Sequence, residues 1–445
     1  MTIDLLSIAS DAVSLARKAG ATAADAIAVS SRNQDVSLRH GVIERLEQSE
    51  SQDLGVRVFV GQSSAIIAGS VLTKEGLQRL VDRAMVMARL APPDPFAGLA
   101  EPSQLATQIP DLDLLSKDQL TPEQVKALAQ RAEEAALAVK GVTRSNGASA
   151  GYGLRDAALV TSNGFARAWQ RSNFGLSASV VAGEGTAMER DYDWHGATHF
   201  SDLDAPEKIG ATAGERAVKR LNPRKIPSQT VPIIYDKRIS TSLVGHLLSG
   251  INGGSIARGT SFLKEDMGKA LFAPSVTIVD DPHRLRGLGS RPVDGEGLPT
   301  RKMNVIDKGM LTTWILDLRA ARQLGLPPTG HATRGVSSPP SSSTSNVHMQ
   351  AGSRSPAEMM KAMKRGLLVT EFIGSTINMV TGDYSRGASG FWIEDGEIAY
   401  PVSEVTVGGN LRSMFANLEP ASDLEFRSST NAPSCFMGEM TIAGR

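Results

Sequence analysis

Across residues 24–70 the apolar side chains recur at every second position, in Asp25-Ala26-Ile27-Ala28-Val29, Val42-Ile43-Glu44-Arg45-Leu46 and Gly55-Val56-Arg57-Val58-Phe59-Val60. That period belongs to strands with a buried face. With turns at His40-Gly41 and Gly61-Gln62, it predicts consecutive antiparallel strands. The flanks change period: Ile3 to Ala19 has helical spacing, and Thr73 opens a helix whose Leu77, Leu80, Val81, Ala84 and Ala88 share a face. This helix stops before Ala91-Pro92-Pro93-Asp94-Pro95. Residues 1–90 therefore read as a small N-terminal α/β domain and residues 91–120 as a linker.

Thr121, with Pro122 at the first helical position, starts a helix to about Lys140. Glycine-punctuated strands follow from Val142 to about Phe200, and a helix from Pro206 to Leu221 closes a middle α+β domain over 121–222. Beyond a short linker, Val231-Pro232-Ile233-Ile234-Tyr235 opens a large β-rich C-terminal domain over 229–445. The fold class is α+β. Ser337 to Ser345 is of low complexity and reads as a mobile loop.

Composition narrows the partners. Lys+Arg and Asp+Glu both number 47, for a formal net charge of zero. No basic block is interleaved with aromatics, so no nucleic-acid partner is expected. No basic leader precedes an apolar stretch at Met1-Thr2-Ile3-Asp4, and no run approaches a membrane span; the expected location is cytoplasmic, with no membrane partner. Cys435 is the single cysteine, which excludes an internal disulfide and a cysteine-rich zinc site.

Several constellations carry little chemistry. Asp191, Asp193, His195 and His199 form the densest ligand-like cluster, but four strand residues separate two side chains by about 13 Å, too far for one ion. A solvated strand end is expected there. Asp280-Asp281-Pro282-His283 reads as a strand stop with a surface imidazole. Gly250-Ile251-Asn252-Gly253-Gly254-Ser255 lacks Walker spacing, Ser261-Phe262-Leu263-Lys264 lacks the companions of penicillin-recognising enzymes, and no G-x-S-x-G elbow exists.

The segment Thr381 to Val402 is the most informative. Phe391-Trp392-Ile393, the turn Glu394-Asp395-Gly396 and Ile398 to Val402 read as a hairpin. Thr381 to Gly390 ahead of it reads as a polar glycine loop, in which Asp383, Ser385, Arg386, Gly387 and Ser389 are candidates for contact with a ligand. The whole run resembles the C-terminal region of the TldD/PmbA metallopeptidase family. The likeness extends from Ala24 to Gly444, through Gly55-Val56-Arg57-Val58, Thr329-Gly330-His331 and Glu439-Met440-Thr441-Ile442-Ala443-Gly444. It is strongest to the PmbA (TldE) type of subunit, which lacks the family's HExxxH zinc motif.

The resemblance implies a two-subunit system in which the zinc-bearing TldD-like subunit cleaves extended or unfolded peptide inside a shared cavity. Counting back from Arg258-Gly259-Thr260-Ser261 lays the six motif positions on Val244 to Ser249. Val244 and Ser249 then stand for the two histidines and Gly245 for the glutamate, and Cys435 lies past the family's cysteine ligand. The resemblance therefore implies no metal and no catalytic residue in this chain, with zinc only in the partner. It also implies a heterodimer with that partner, a homodimer in isolation, and substrate contact through Thr381 to Gly390. Two readings stay open beside it: a self-associated peptide-binding scaffold, and a peptidase active alone through an unrecognised site.

Overall fold

The computed structural model describes residues 4–444. Helices α1 (Leu5–Lys18), α2 (Lys74–Leu90), α3 (Pro122–Leu137) and α4 (Pro206–Lys219) start at identifiable signals. The Asp4 and Thr73 side chains accept backbone N–H groups of α1 and α2, and Thr121 and Gln124 form a reciprocal capping box with Pro122 inside it. They cover one face of an antiparallel sheet built from β1 (Ala23–Arg39), β2 (Val42–Val60), β3 (Ser63–Gly69), β4 (Val142–Thr161), β5 (Ala166–Ala182) and β6 (Glu189–Ala197), in the order β3-β2-β1-β4-β5-β6.

The seam between β1 and β4 runs from Asp25 opposite Thr161 to Leu38 opposite Ala148, so the segments on either side of residues 91–120 are halves of one sheet. Alternation sends Ala26 and Ala28 of β1 under α1 and α2, and sends Ile27 and Val29 to the other face. There they meet Phe165 and Val293, which explains why that end of β1 is buried on both sides. Residues 91–120 are docked rather than free: Arg322 donates to the carbonyls of Phe96 and Leu99, and the Ala106 N–H donates to Gly297 O.

The C-terminal domain is built on a closed five-stranded barrel. Its strands run Glu397–Asn410, Asp383–Glu394, Gly366–Ile377, β7 (Gln229–Tyr235) and Cys435–Ala443, and the ring closes where Thr406–Gly408 pair with Thr441–Ala443. β7 and Gly366–Ile377 are parallel, with Leu367 opposite Ile233. Ile233, Tyr235, Leu367, Tyr384, Trp392, Val407 and Ile442 contribute to one core, into which α5 (Lys237–Gly250) packs Leu243, Val244 and Leu247. The fold is α+β with a β-rich C-terminal domain, as the sequence reads.

Two local readings are corrected. From Asp383 on, the expected polar loop is a barrel strand, because its glycines serve close packing: a Cβ on Gly390 would fall 1.9 Å from the Leu368 carbonyl oxygen. The hairpin after it is present, turning on Asp395 and Gly396 with φ of 53° and 82°. Ser337 to Ser345 is held rather than mobile. Ser341–Ser342 pair with Ala332–Thr333, the Ser342 hydroxyl donates to Asp317, and Ser345 is buried against Asp280.

Candidate functional site

Period two along β6 puts Asp191 and Asp193 on one face, and α4 and α5 close over that face with arginines. Arg216 of α4 and Arg220 at its C-cap, one turn apart, reach Asp193 at 2.9 Å and Asp191 at 3.4 Å. Arg238, in the first turn of α5, reaches Asp191 at 2.6 Å, and Arg427 reaches Asp193 at 3.4 Å. Both aspartates are 4% exposed. The expected solvated strand end is therefore a buried ionic hub, because two helices later in the chain fold back over it. His195 and His199 are used elsewhere: the His195 Nδ1 accepts the Asp204 N–H at 2.9 Å, and the His199 Nε2 lies 2.8 Å from the Asp113 carbonyl oxygen. Among the described residues, no group of three or more His, Cys, Asp or Glu is arranged to hold a metal ion.

Between this hub and the outer barrel wall lies a cleft of about 640 Å³. Asp191, Arg216, Arg220 and Arg427 line its charged side, while Leu368, Phe391, Ile398 and Tyr400 line the other. Arg238, Thr241 and Thr370 also line a neighbouring cavity of about 240 Å³, which adds Ser242, Phe372 and Arg386. The two cavities share Arg238, Thr241 and Thr370 and lie side by side, a groove between the N-terminal sheet and the barrel.

The sequence candidates separate on the strand Asp383–Glu394. Arg386 shares its strand side with the buried Tyr384 and Ala388, so its guanidinium lies beside α5, over the Phe372 ring at 4.2 Å. Ser385 and Gly387 alternate to the opposite side and are half-buried. Ser389 is buried, and Asp383 is exposed, accepting from the Thr381 hydroxyl at 2.7 Å and the Asn410 amide at 3.2 Å. Of the five, only Arg386 lines the groove.

The aligned motif positions on α5 are also not gathered. Val244 is fully buried in the barrel core, Gly245 borders open space, and Ser249 is exposed, its hydroxyl donating to Gly245 O at 2.9 Å. His246 is the one imidazole on this helix; its Nε2 is buried without a hydrogen-bond partner, and the ring meets Tyr384 edge-on at 6.0 Å. Burial, with the Arg386 charge, pushes its pKa down to about 4, so the ring is neutral at pH 7.

Comparison with known proteins gives the lineage. Residues 228–444, 116–221 and 24–88 match the C-terminal domain, central domain and domain 1 of the PmbA/TldA metallopeptidases. The chain belongs to the PmbA/TldD metallopeptidase family. It is 39% identical over 414 residues to Metalloprotease PmbA of Escherichia coli O157:H7, covering 92% of this chain and 90% of that one. A Bacteroides thetaiotaomicron crystal structure, described as a candidate modulator of DNA gyrase, superposes over 100% of both chains with a TM-score of 0.92 and 29% identity. TldE from Thermococcus kodakarensis shares the fold at a TM-score of 0.88 and 20% identity, over 98% of this chain and 100% of that one.

A metallopeptidase family raises the question of a zinc ion, and among the described residues the donors at the aligned positions do not fit one. A hydrolytic zinc takes about three protein ligands and an open position, whereas α5 offers His246 alone. Asp236, which lines the larger cleft, is committed to capping α5 by accepting the Arg238 N–H at 2.9 Å. Cys435 is fully buried, its thiol pushed up to about 12 by burial, with Sγ 3.3 Å from the Pro433 carbonyl. The sequence names Arg386 but not Arg216, Arg220 or Arg238. The signals that could have found these were the i,i+4 arginines of α4 and the i,i+2 aspartates of β6.

Proposed function

We propose that this chain is the PmbA/TldE-like, zinc-free half of a two-subunit metallopeptidase, holding extended or unfolded peptide while a zinc-bearing TldD-like partner cleaves it. The observation that carries the reading is the donor set of α5: the helix bordering the groove bears one neutral imidazole and no carboxylate. A chain with a peptide-sized groove but no hydrolytic ligands suits a wall rather than a catalyst. Support also comes from the groove's make-up, an apolar barrel wall facing fixed arginines, since peptide sites combine apolar contact with a few placed polar groups. In this reading the pair forms in the cytoplasm, and the isolated chain is a homodimer that exchanges into the heterodimer.

Two alternatives differ in outcome. A peptidase active alone would cleave without a partner, and a self-associated scaffold would bind peptide without cleavage in either setting. Co-expression with a TldD-like chain, followed by light scattering of the purified material, tests the assembly: a mixed dimer supports the reading, and monomers of both chains at micromolar concentration sink it.

A further inference from the structure

We propose that the smaller cavity beside Arg386 is a carboxylate site, and that its ligand is the free C-terminus of a peptide whose preceding apolar residues lie along the larger cleft. The ligand's identity rests on the peptide-holding reading above; the anion chemistry does not.

Arg386 differs from the other arginines of the groove. Arg216, Arg220, Arg238 and Arg427 each pair with buried Asp191 or Asp193, and Glu371 at the cavity rim is taken by Arg220. Arg386 has no carboxylate partner among the described residues. Its Nε donates to Gly374 O at 3.0 Å, and its plane is held against Phe372. One edge of the guanidinium is thereby fixed, the buried Tyr384 hydroxyl engages it on the core side, and the N–H donors left facing the cavity are open to a planar anion, the geometry in which arginine binds carboxylate.

Two hydroxyls join it. The register of Gly366–Ile377 against its neighbour slips between Val369 and Glu371, so Thr370 stands outside the ladder and lines the cavity. Such bulges re-aim side chains. Thr241, in the second turn of α5, lines the same cavity; neither threonine hydroxyl has a hydrogen-bond partner among the described residues. The Ser242 hydroxyl is spent on Ile239 O at 2.7 Å. His246, neutral beside Arg386, adds no competing charge. One unpaired guanidinium and two free hydroxyls suit a monocarboxylate. Thr241 and Thr370 also line the adjoining cleft walled by Leu368, Phe391 and Tyr400, and that apolar neighbour favours a carboxylate that ends an apolar chain over a free inorganic anion.

The test is fluorescence anisotropy on the full chain with an N-terminally labelled, unstructured hexapeptide ending in apolar residues, as free acid and as C-terminal amide, with inorganic phosphate as competitor. The free acid is expected to bind roughly ten- to a hundredfold more tightly than the amide, the span of a charge-assisted hydrogen bond. Arg386→Ala should abolish the discrimination, Arg386→Lys retain part of it, and Thr241→Val weaken the acid alone; thermal melts of each variant exclude misfolding as the cause. Equal binding of acid and amide, binding of neither, or displacement by phosphate as effectively as by acid overturns the proposal. The same two peptides offered to a reconstituted pair separate the two claims. Cleavage without acid preference refutes the carboxylate site alone. Acid-selective binding with no cleavage by any pair refutes the subunit reading and leaves the site standing.

Discussion

The Arg238 guanidinium lies 2.6 Å from the Asp191 carboxylate, and through that contact the first turn of α5 is tied to β6 across the boundary between barrel and N-terminal sheet. Asp191 also holds Arg220 at 3.4 Å, so one carboxylate fixes two helices and, with them, one wall of the groove. Removing one member of a buried ion pair leaves its partners charged and unpaired. Asp191→Ala is expected to lower stability by about 3 kcal/mol, read as a fall in the urea midpoint. A change within the spread of surface variants would show that the hub is not what joins the two parts.

His246 gives a pH dependence with a definite sign. Its pKa is about 4 in the folded chain against 6.5 for the free side chain. Above pH 6.5 both states are neutral and nothing is lost; as pH falls from 6.5 towards 4 the unfolded chain takes the proton first, and the folded state loses stability. The loss approaches about 3 kcal/mol near pH 4. Unfolding of the native chain and of His246→Gln, compared at pH 7 and pH 4.5, should diverge only at the lower pH. Parallel behaviour at both would place the imidazole in water.

Glu296 acts in the opposite direction. Burial first, and the neighbouring Asp294 second, push its carboxyl up to about 8 from 4.5, while its Oε2 accepts the Leu318 N–H at 2.8 Å. Stability tied to this group is fully present below pH 4.5 and declines as pH rises towards 8. Glu296→Gln keeps the acceptor without the charge, so it should stabilise at pH 8.5, by an amount on the order of 2–4 kcal/mol, and change little at pH 4.5. Destabilisation at pH 8.5 would contradict the assignment.

Cys435 should be inert while the chain is folded. Its burial and its thiol at about 12 leave almost no thiolate at pH 8. A chromogenic disulfide reagent is expected to titrate no thiol in the native chain and one in urea. Rapid native reaction would return this cysteine to the list of possible metal ligands.

The elements whose signals are local were legible in the sequence. The turn at His40-Gly41, the cap at Thr121 with Pro122, and the Asp395-Gly396 hairpin each lie within a few residues, and the structure has all three. The joining of β1 to β4 was not legible, because that pairing links residues more than a hundred apart and leaves no local mark. Asp383 to Gly390 read as a loop because glycine and charge are loop-like by composition, whereas here glycine answers a backbone approach at Gly390. Asp191 and Asp193 read as solvated because the helices that bury them lie further along the chain. In the groove itself, Arg386, Asp191 and Asp193 were named and the arginines around them were not: the groove assembles from β6, α4, α5, three barrel strands and residues 425–432, and each contributes a few residues with no motif.

If this chain holds peptide and its partner cuts it, metal and cleavage must divide between the two chains. The direct measurement is zinc content by elemental analysis, together with cleavage of an unfolded peptide by this chain alone, by a TldD-like chain alone, and by the two combined. Well under one zinc per chain is expected here, with no cleavage by this chain alone and cleavage by the mixture above that of the partner alone. Stoichiometric zinc in the purified chain, together with cleavage that needs no partner, would contradict it.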